Sequence, residues 1–102
     1  MWEKLEEIER RYRELEAEMA RPEVAADYDR LPSLAREHAS LQEVVGILNE
    51  YRHLRESLDQ ARAILDDGSD HVLVPLAREE VERDEVRVEL LEDRLQRALV
   101  PK

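Results

Sequence analysis

An all-α fold is what this chain predicts, and three observations predict it. Apolar residues recur at spacings of three and four along almost the whole length, the stripe of helices that bury one face against one another. Only two glycines and four prolines are present, too few for the many turns of a β architecture. Acidic residues precede arginines by four positions again and again, the favourable order for ion pairs along a helix. The form expected is an elongated antiparallel three-helix bundle with a long projecting two-helix hairpin, all within one domain of residues 1–102.

The first predicted helix runs from about residue 2 to 20, with Trp2, Leu5, Ile8, Tyr12, Leu15 and Met19 on its apolar stripe. Glu6 with Arg10, Glu7 with Arg11 and Glu9 with Arg13 line the opposite face. Pro22 ends this helix, because proline disfavours helical backbone at Arg21 before it. A connector follows over residues 22–29, with room for one helical turn at Glu23 to Ala26. The second helix is expected over about 29–66, capped by Asp27 or Asp29. Pro32 fits its first turn if Asp29 is the cap and sits awkwardly if Asp27 is. The stripe here reads Leu34, His38, Leu41, Val45, Leu48, Tyr51, Leu54, Leu58, Ala61 and Leu65, a rod of roughly 54 Å. Gly68 is placed to close it. Mid-helix Gly46 costs about 1 kcal/mol relative to alanine, and reads either as plain tolerance or as a close helix crossing. The third helix is expected over about 75–99, with Ser69 or Asp70 as cap and Pro75 in the first turn. Its stripe reads Leu76, Val81, Asp84, Val88, Leu91, Leu95 and Ala98.

Short connections imply antiparallel neighbours. Paired positions in the second and third helices should sum to about 138, and those in the first and second to about 52, which sets Trp2 near Tyr51. The first helix then covers only part of the second. The base is three helices thick, and residues 54–84 form a bare hairpin.

Composition narrows the function classes. There is no cysteine, so disulfides and thiolate metal sites are excluded. No apolar run reaches the roughly 20 residues of a membrane span, and the N-terminus lacks the apolar core of a signal peptide, so the expectation is a cytoplasmic protein without membrane contact. The formal net charge of −10 would be repelled by a phosphate backbone, so no direct nucleic-acid binding is expected. An acidic surface suits a basic protein partner, although solvated charge also serves only to keep helices apart in water.

No residue cluster carries chemistry. Asp84 interrupts the third stripe opposite Arg52, His53 and Arg55; it reads either as an ion pair with Arg52 or Arg55 or as a side chain turned outward. His38, His53 and His71 have no ligand-like spacing, so no metal is expected; His38 reads as a seam residue with its ring edge in water. Asp66, Asp67 and Asp70 lack the ligand series of a calcium loop and read as turn and cap chemistry. Val72, Leu73 and Val74 at the hairpin tip either plug the end of the bundle or form a contact patch. No nucleophile triad or glycine-rich phosphate cradle is present, so neither enzyme activity nor a cofactor is expected. The runner-up to an adaptor arm is a self-associating coiled-coil module, with which the stripes are compatible.

Specific segments carry a resemblance. The opening Trp2-Glu-Lys-Leu-Glu-Glu-Ile-Glu-Arg-Arg-Tyr-Arg-Glu-Leu-Glu16, the connector Arg21-Pro22-Glu23-Val24, the stretch Leu34-Ala-Arg-Glu-His-Ala-Ser-Leu41 and Ala61-Arg-Ala-Ile-Leu-Asp-Asp67 are in one order. With the final Leu99-Val100-Pro101-Lys102, this set resembles the N-terminal helical domain of the bacterial peptide chain release factor 1 family. The resemblance implies translation termination at UAA and UAG codons by the parent protein, through a Gly-Gly-Gln loop and a Pro-x-Thr element. Neither occurs here, which implies a non-catalytic part whose hydrolytic domain would lie beyond Lys102. It also implies a ribosome-contacting arm whose partner is the L11-type protein at the stalk base. The partner-facing residues expected on that basis are those at the tip: Asp66, Asp67, Asp70, His71, Val72, Leu73 and Val74. The chain departs from its relatives' short Asp-Pro-Glu turn with a longer, more apolar tip from Gly68 to Pro75.

Overall fold

The computed structural model describes residues Met1–Pro101; Lys102 lies outside the described residues. Four α-helices and no strand are found among them: α1 Trp2–Met19, α2 Pro22–Ala25, α3 Leu31–Asp67 and α4 Leu73–Ala98. The fold class is all-α. The residues gather into two compact units, Met1–Gly46 and a second from Ile47 onward. The sequence reading treats them as one domain. The division has a simple source in helix length: α3 has 37 residues, α1 only 18 and α4 only 26, so neither shorter helix can pair with all of α3.

In the first unit, α1 buries Leu5 and Leu15 completely, while Ile8, Tyr12 and Met19 are half-buried beside them. Arg21 takes the extended backbone (φ −72°, ψ 130°) that a following proline demands, and Pro22 opens α2 where no N–H is needed. The turn of α2 is more than a spacer, because its Val24 is fully buried. Asp27 caps the next segment: its Oδ1 accepts the backbone N–H groups of Asp29 and Arg30 at 3.1 and 3.2 Å. Residues 28–30 are a turn rather than regular α-helix, and this resolves the awkward proline. Pro32 falls in the first turn of α3 even though Asp27 is the cap. The start of α3 runs antiparallel to α1, as the ion pairs Arg11–Glu37 and Glu18–Arg30 and the stacked rings of Tyr12 and His38 record.

In the second unit, the rest of α3 and α4 form an antiparallel pair. Leu58 and Ala61 on α3, together with Ala77, Val88, Leu91 and Leu95 on α4, are all buried. Polar pairs flank that seam: Arg87 with Glu50 at 2.6 Å, Ser57 with Glu80 at 2.7 Å, Arg62 with Glu85 at 2.9 Å and Tyr51 with Glu92 at 3.0 Å. Leu76 is a correction to the predicted stripe. It is 58% exposed, and the smaller Ala77 takes the inward place at 3%. Counting back from Val88 and Asp84 at helical spacing reaches Ala77; side-chain size alone favoured Leu76.

Gly46 is a second correction. An added Cβ would meet nothing within 4 Å, so no close crossing requires glycine there. Plain tolerance is the reading that fits.

Candidate functional site

The tip of the α3–α4 hairpin holds all seven residues singled out as partner-facing. Its geometry begins with Gly68, whose φ of +67° lies in the left-handed region that L side chains rarely adopt. The Gly68 N–H returns to the Ile64 carbonyl at 3.0 Å and closes α3. Asp67 accepts hydrogen bonds from both the hydroxyl and the backbone N–H of Ser69. Asp70 accepts the N–H groups of Val72 and Leu73 through one oxygen, both at 3.0 Å, and its carbonyl accepts the N–H of Val74 at 2.9 Å. These bonds satisfy donors that the first turn of α4 leaves without helical partners. Two of the tip's three aspartates are therefore engaged in turn and cap chemistry.

What the tip presents outward is apolar. Val72 is 75% exposed and Leu73 42%, whereas Val74 is half-buried. Val72 does not plug the end of the helix pair. Asp66 and His71 are exposed alongside it. No group of three His, Cys, Asp or Glu side chains among the described residues could hold a metal ion.

The remaining candidates scatter. Asp84 is buried at 7% exposure, and its Oδ2 has no hydrogen-bond partner. It turns neither outward nor toward an arginine: among the described residues it makes no ion pair, and Arg55 pairs instead with Asp59 on its own helix at 3.8 Å. The intrahelical partner four residues away lies within easy reach of the Arg55 side chain. His38 also departs from expectation. Its ring stacks on Tyr12 with centroids 4.2 Å apart, and Nε2 is shielded from water and without a hydrogen-bond partner, although a Glu16 oxygen lies 3.5 Å away. Nε2 is the shielded part of a side chain that stays 20% exposed.

Sequence reasoning missed two features. Arg11 pairs with Glu37 through two hydrogen bonds, at 2.6 and 2.8 Å, across 26 residues of chain. This bond, with desolvation opposing it, holds the Glu37 carboxyl below its ordinary value and raises the already high value of Arg11. The other is an exposed apolar line on α4, of Leu76, Val86 and Leu90. The four-residue spacing of Val86 and Leu90, off the seam, was the signal for it.

Comparison with known proteins bears on this geometry. The family model described as the PCRF domain matches residues 8–102. The chain is 44% identical over all of its 102 residues to a peptide chain release factor 1 from Thermus thermophilus, and covers 28% of that relative. It is 37% identical to the namesake from Oleidesulfovibrio alaskensis, covering 28% of it, and 36% identical to that from Bacillus cytotoxicus, covering 29%. The chain thus spans less than a third of the length of these relatives. No solved structure matches it. A family model that matches all but the first seven residues, on an all-helical chain, is decisive: the chain belongs to the PCRF domain family.

Proposed function

We propose that this chain is the non-catalytic, ribosome-contacting arm of a peptide chain release factor acting at UAA and UAG codons in the cytoplasm. The observation that carries the reading is the match of residues 8–102 to the PCRF domain, together with relatives named as release factors over the chain's full length. Hydrolysis and codon reading belong, on this reading, to parts outside residues 1–102, because the Gly-Gly-Gln and Pro-x-Thr elements are not in this sequence.

The tip supports a protein-facing contact at the L11-type protein of the stalk base. Its cap bonds fix the backbone of Asp67 to Leu73, so little ordering remains to be done on binding. Exposed Val72 and Leu73 supply apolar area, and a chain of net charge −10 favours a basic protein surface over RNA.

Binding to the immobilised, isolated L11-type protein tests this. Weak binding that fades as salt rises is expected. Val72→Ser with Leu73→Ala should weaken it at least tenfold, about 1.4 kcal/mol. Serine is favoured at a helix start, so the fold survives the first change. No binding, or binding indifferent to both substitutions, overturns the assignment.

A further inference from the structure

A single aspartate of the chain precedes a glycine: Asp67, the last residue of α3, is followed by Gly68. Such a pair carries chemistry of its own. The Gly68 amide nitrogen can attack Cγ of the protonated Asp67 side chain and close a five-membered ring. The C–N bond forms as the carboxyl C–O bond breaks, and the hydroxyl leaves with the amide proton as water. Water then opens the cyclic imide at either carbonyl. Cleavage at the side-chain carbonyl restores aspartate; cleavage at the main-chain carbonyl leaves isoaspartate, with the backbone running through Cβ and Cγ. No oxidant or reductant enters. Glycine favours the attack because no Cβ stands beside its nitrogen.

Asp67 and Gly68 are both exposed, so water reaches the pair. Two sets of bonds stand against ring closure. The Gly68 N–H is committed to the Ile64 carbonyl at 3.0 Å, which holds the Asp67–Gly68 peptide plane in line with α3. Attack needs this nitrogen to lose its proton and turn toward Cγ, so that bond must break first. Asp67 Oδ2 in turn accepts the Ser69 hydroxyl and, at 3.4 Å, the Ser69 N–H. Ring closure removes one carboxyl oxygen and turns the other into an uncharged imide carbonyl, so Ser69 loses its charged acceptor. The neighbouring exposed aspartates precede bulkier residues: Asp66 precedes Asp67, and Asp70 precedes His71.

We infer that Asp67-Gly68 is a site of spontaneous aspartate isomerisation held shut by the closed end of α3, reacting only when the last turn of that helix and Ser69 let go. Opening of this kind is local, at a helix end beside a loop tip. Ile64 and Leu65, the apolar residues of that turn, are only half-buried. The product has one more atom in the main chain directly before left-handed Gly68, and a free α-carboxylate in place of the Asp67 side chain. The Gly68 bond to Ile64 and the Ser69 bonds to Asp67 then lose their register, and with them goes the fixed backbone of the tip. This chemistry is independent of what the tip binds.

The test ages the full chain folded and, in parallel, unfolded in guanidinium chloride at the same pH and temperature. After digestion, isoaspartate is counted by methyl transfer from S-adenosylmethionine with an isoaspartyl methyltransferase, and placed by mass spectrometry. Isoaspartate at position 67 should build up more slowly in the folded chain by roughly tenfold or more, as a site that reacts only when open requires. Gly68→Ala should suppress it in the unfolded chain, where the added Cβ obstructs attack and the fold plays no part. Ser69→Ala should speed the reaction in the folded chain and leave the unfolded chain unchanged. Equal rates in folded and unfolded chains overturn the inference. Isoaspartate undiminished by Gly68→Ala would place the chemistry at another residue and overturn it too. An unchanged folded rate in Ser69→Ala overturns the share given to Ser69.

Discussion

Arg11 of α1 grips Glu37 of α3 through two hydrogen bonds. Because Arg11 holds the Glu37 carboxyl below its ordinary value, the folded state binds its proton less readily than the unfolded chain does. The stabilisation is present above the unfolded carboxylate value of about 4.3 and is lost as pH falls through the lower folded value. Glu37→Gln should therefore lower the urea midpoint at pH 7, and the gap from the parent should close as pH falls through the lowered folded value. A gap that stays constant with pH would mean the carboxylate charge contributes nothing. Asp84 is the opposite case. It is a buried carboxylate with an orphan oxygen in a seam of Val88, Leu91 and Leu95. Asp84→Leu should raise stability by about 1–3 kcal/mol in urea unfolding, the size of an unpaired buried polar group. A loss of stability would mean that the carboxylate holds the register. Neither the Arg11–Glu37 pair nor the lack of a partner for Asp84 was legible in the sequence. Spacing along one helix says which face a residue occupies, but partner choice across helices turns on rotamers and on rival partners such as Asp59 for Arg55.

Two glycines, one inside α3 and one just past its end, serve opposite purposes. Gly68 supplies a left-handed turn, and a Cβ there is strained whatever the space around it. Gly46 occupies the middle of α3 with open space around it. Gly68→Ala should destabilise by about 1 kcal/mol, and Gly46→Ala should stabilise by a similar amount. Thermal melts followed by ellipticity check both signs; a stabilising Gly68→Ala or a destabilising Gly46→Ala would contradict the geometry. Periodicity made the helices themselves legible, since Leu5, Leu15, Val45, Leu48, Leu58, Val88, Leu91 and Leu95 on the predicted stripes are all buried. It failed at Leu76, where a large side chain off the true period drew the stripe one residue out of place. The caps were legible to within one choice: Asp27 and Asp70 were each among the candidates, and only the bonds decide.

On the scale of the whole chain, charge and family point the same way. Fourteen arginines against two lysines make arginine–glutamate pairs the recurring connection between helices, through both prongs of the guanidinium in Arg11–Glu37 and through one in Arg62–Glu85 and Arg87–Glu50. Acids exceed bases by ten charges, and at the tip two of the three aspartates are engaged in turn and cap bonds. The family was legible because ordered segments from Trp2 to Asp67 carry it; the α4 face was not, since it lies off the stripe that periodicity seeks. The division into two units within one continuous α3 has a kinetic consequence. Starting a helix is costly, because several residues must be fixed for the first hydrogen bond, while extending one is nearly free. Whichever unit forms first therefore hands its neighbour a helix already begun, ending at Gly46 or Ile47. Glycine is the poorest helix former after proline, so the hand-over point is also where extension of α3 is least favourable.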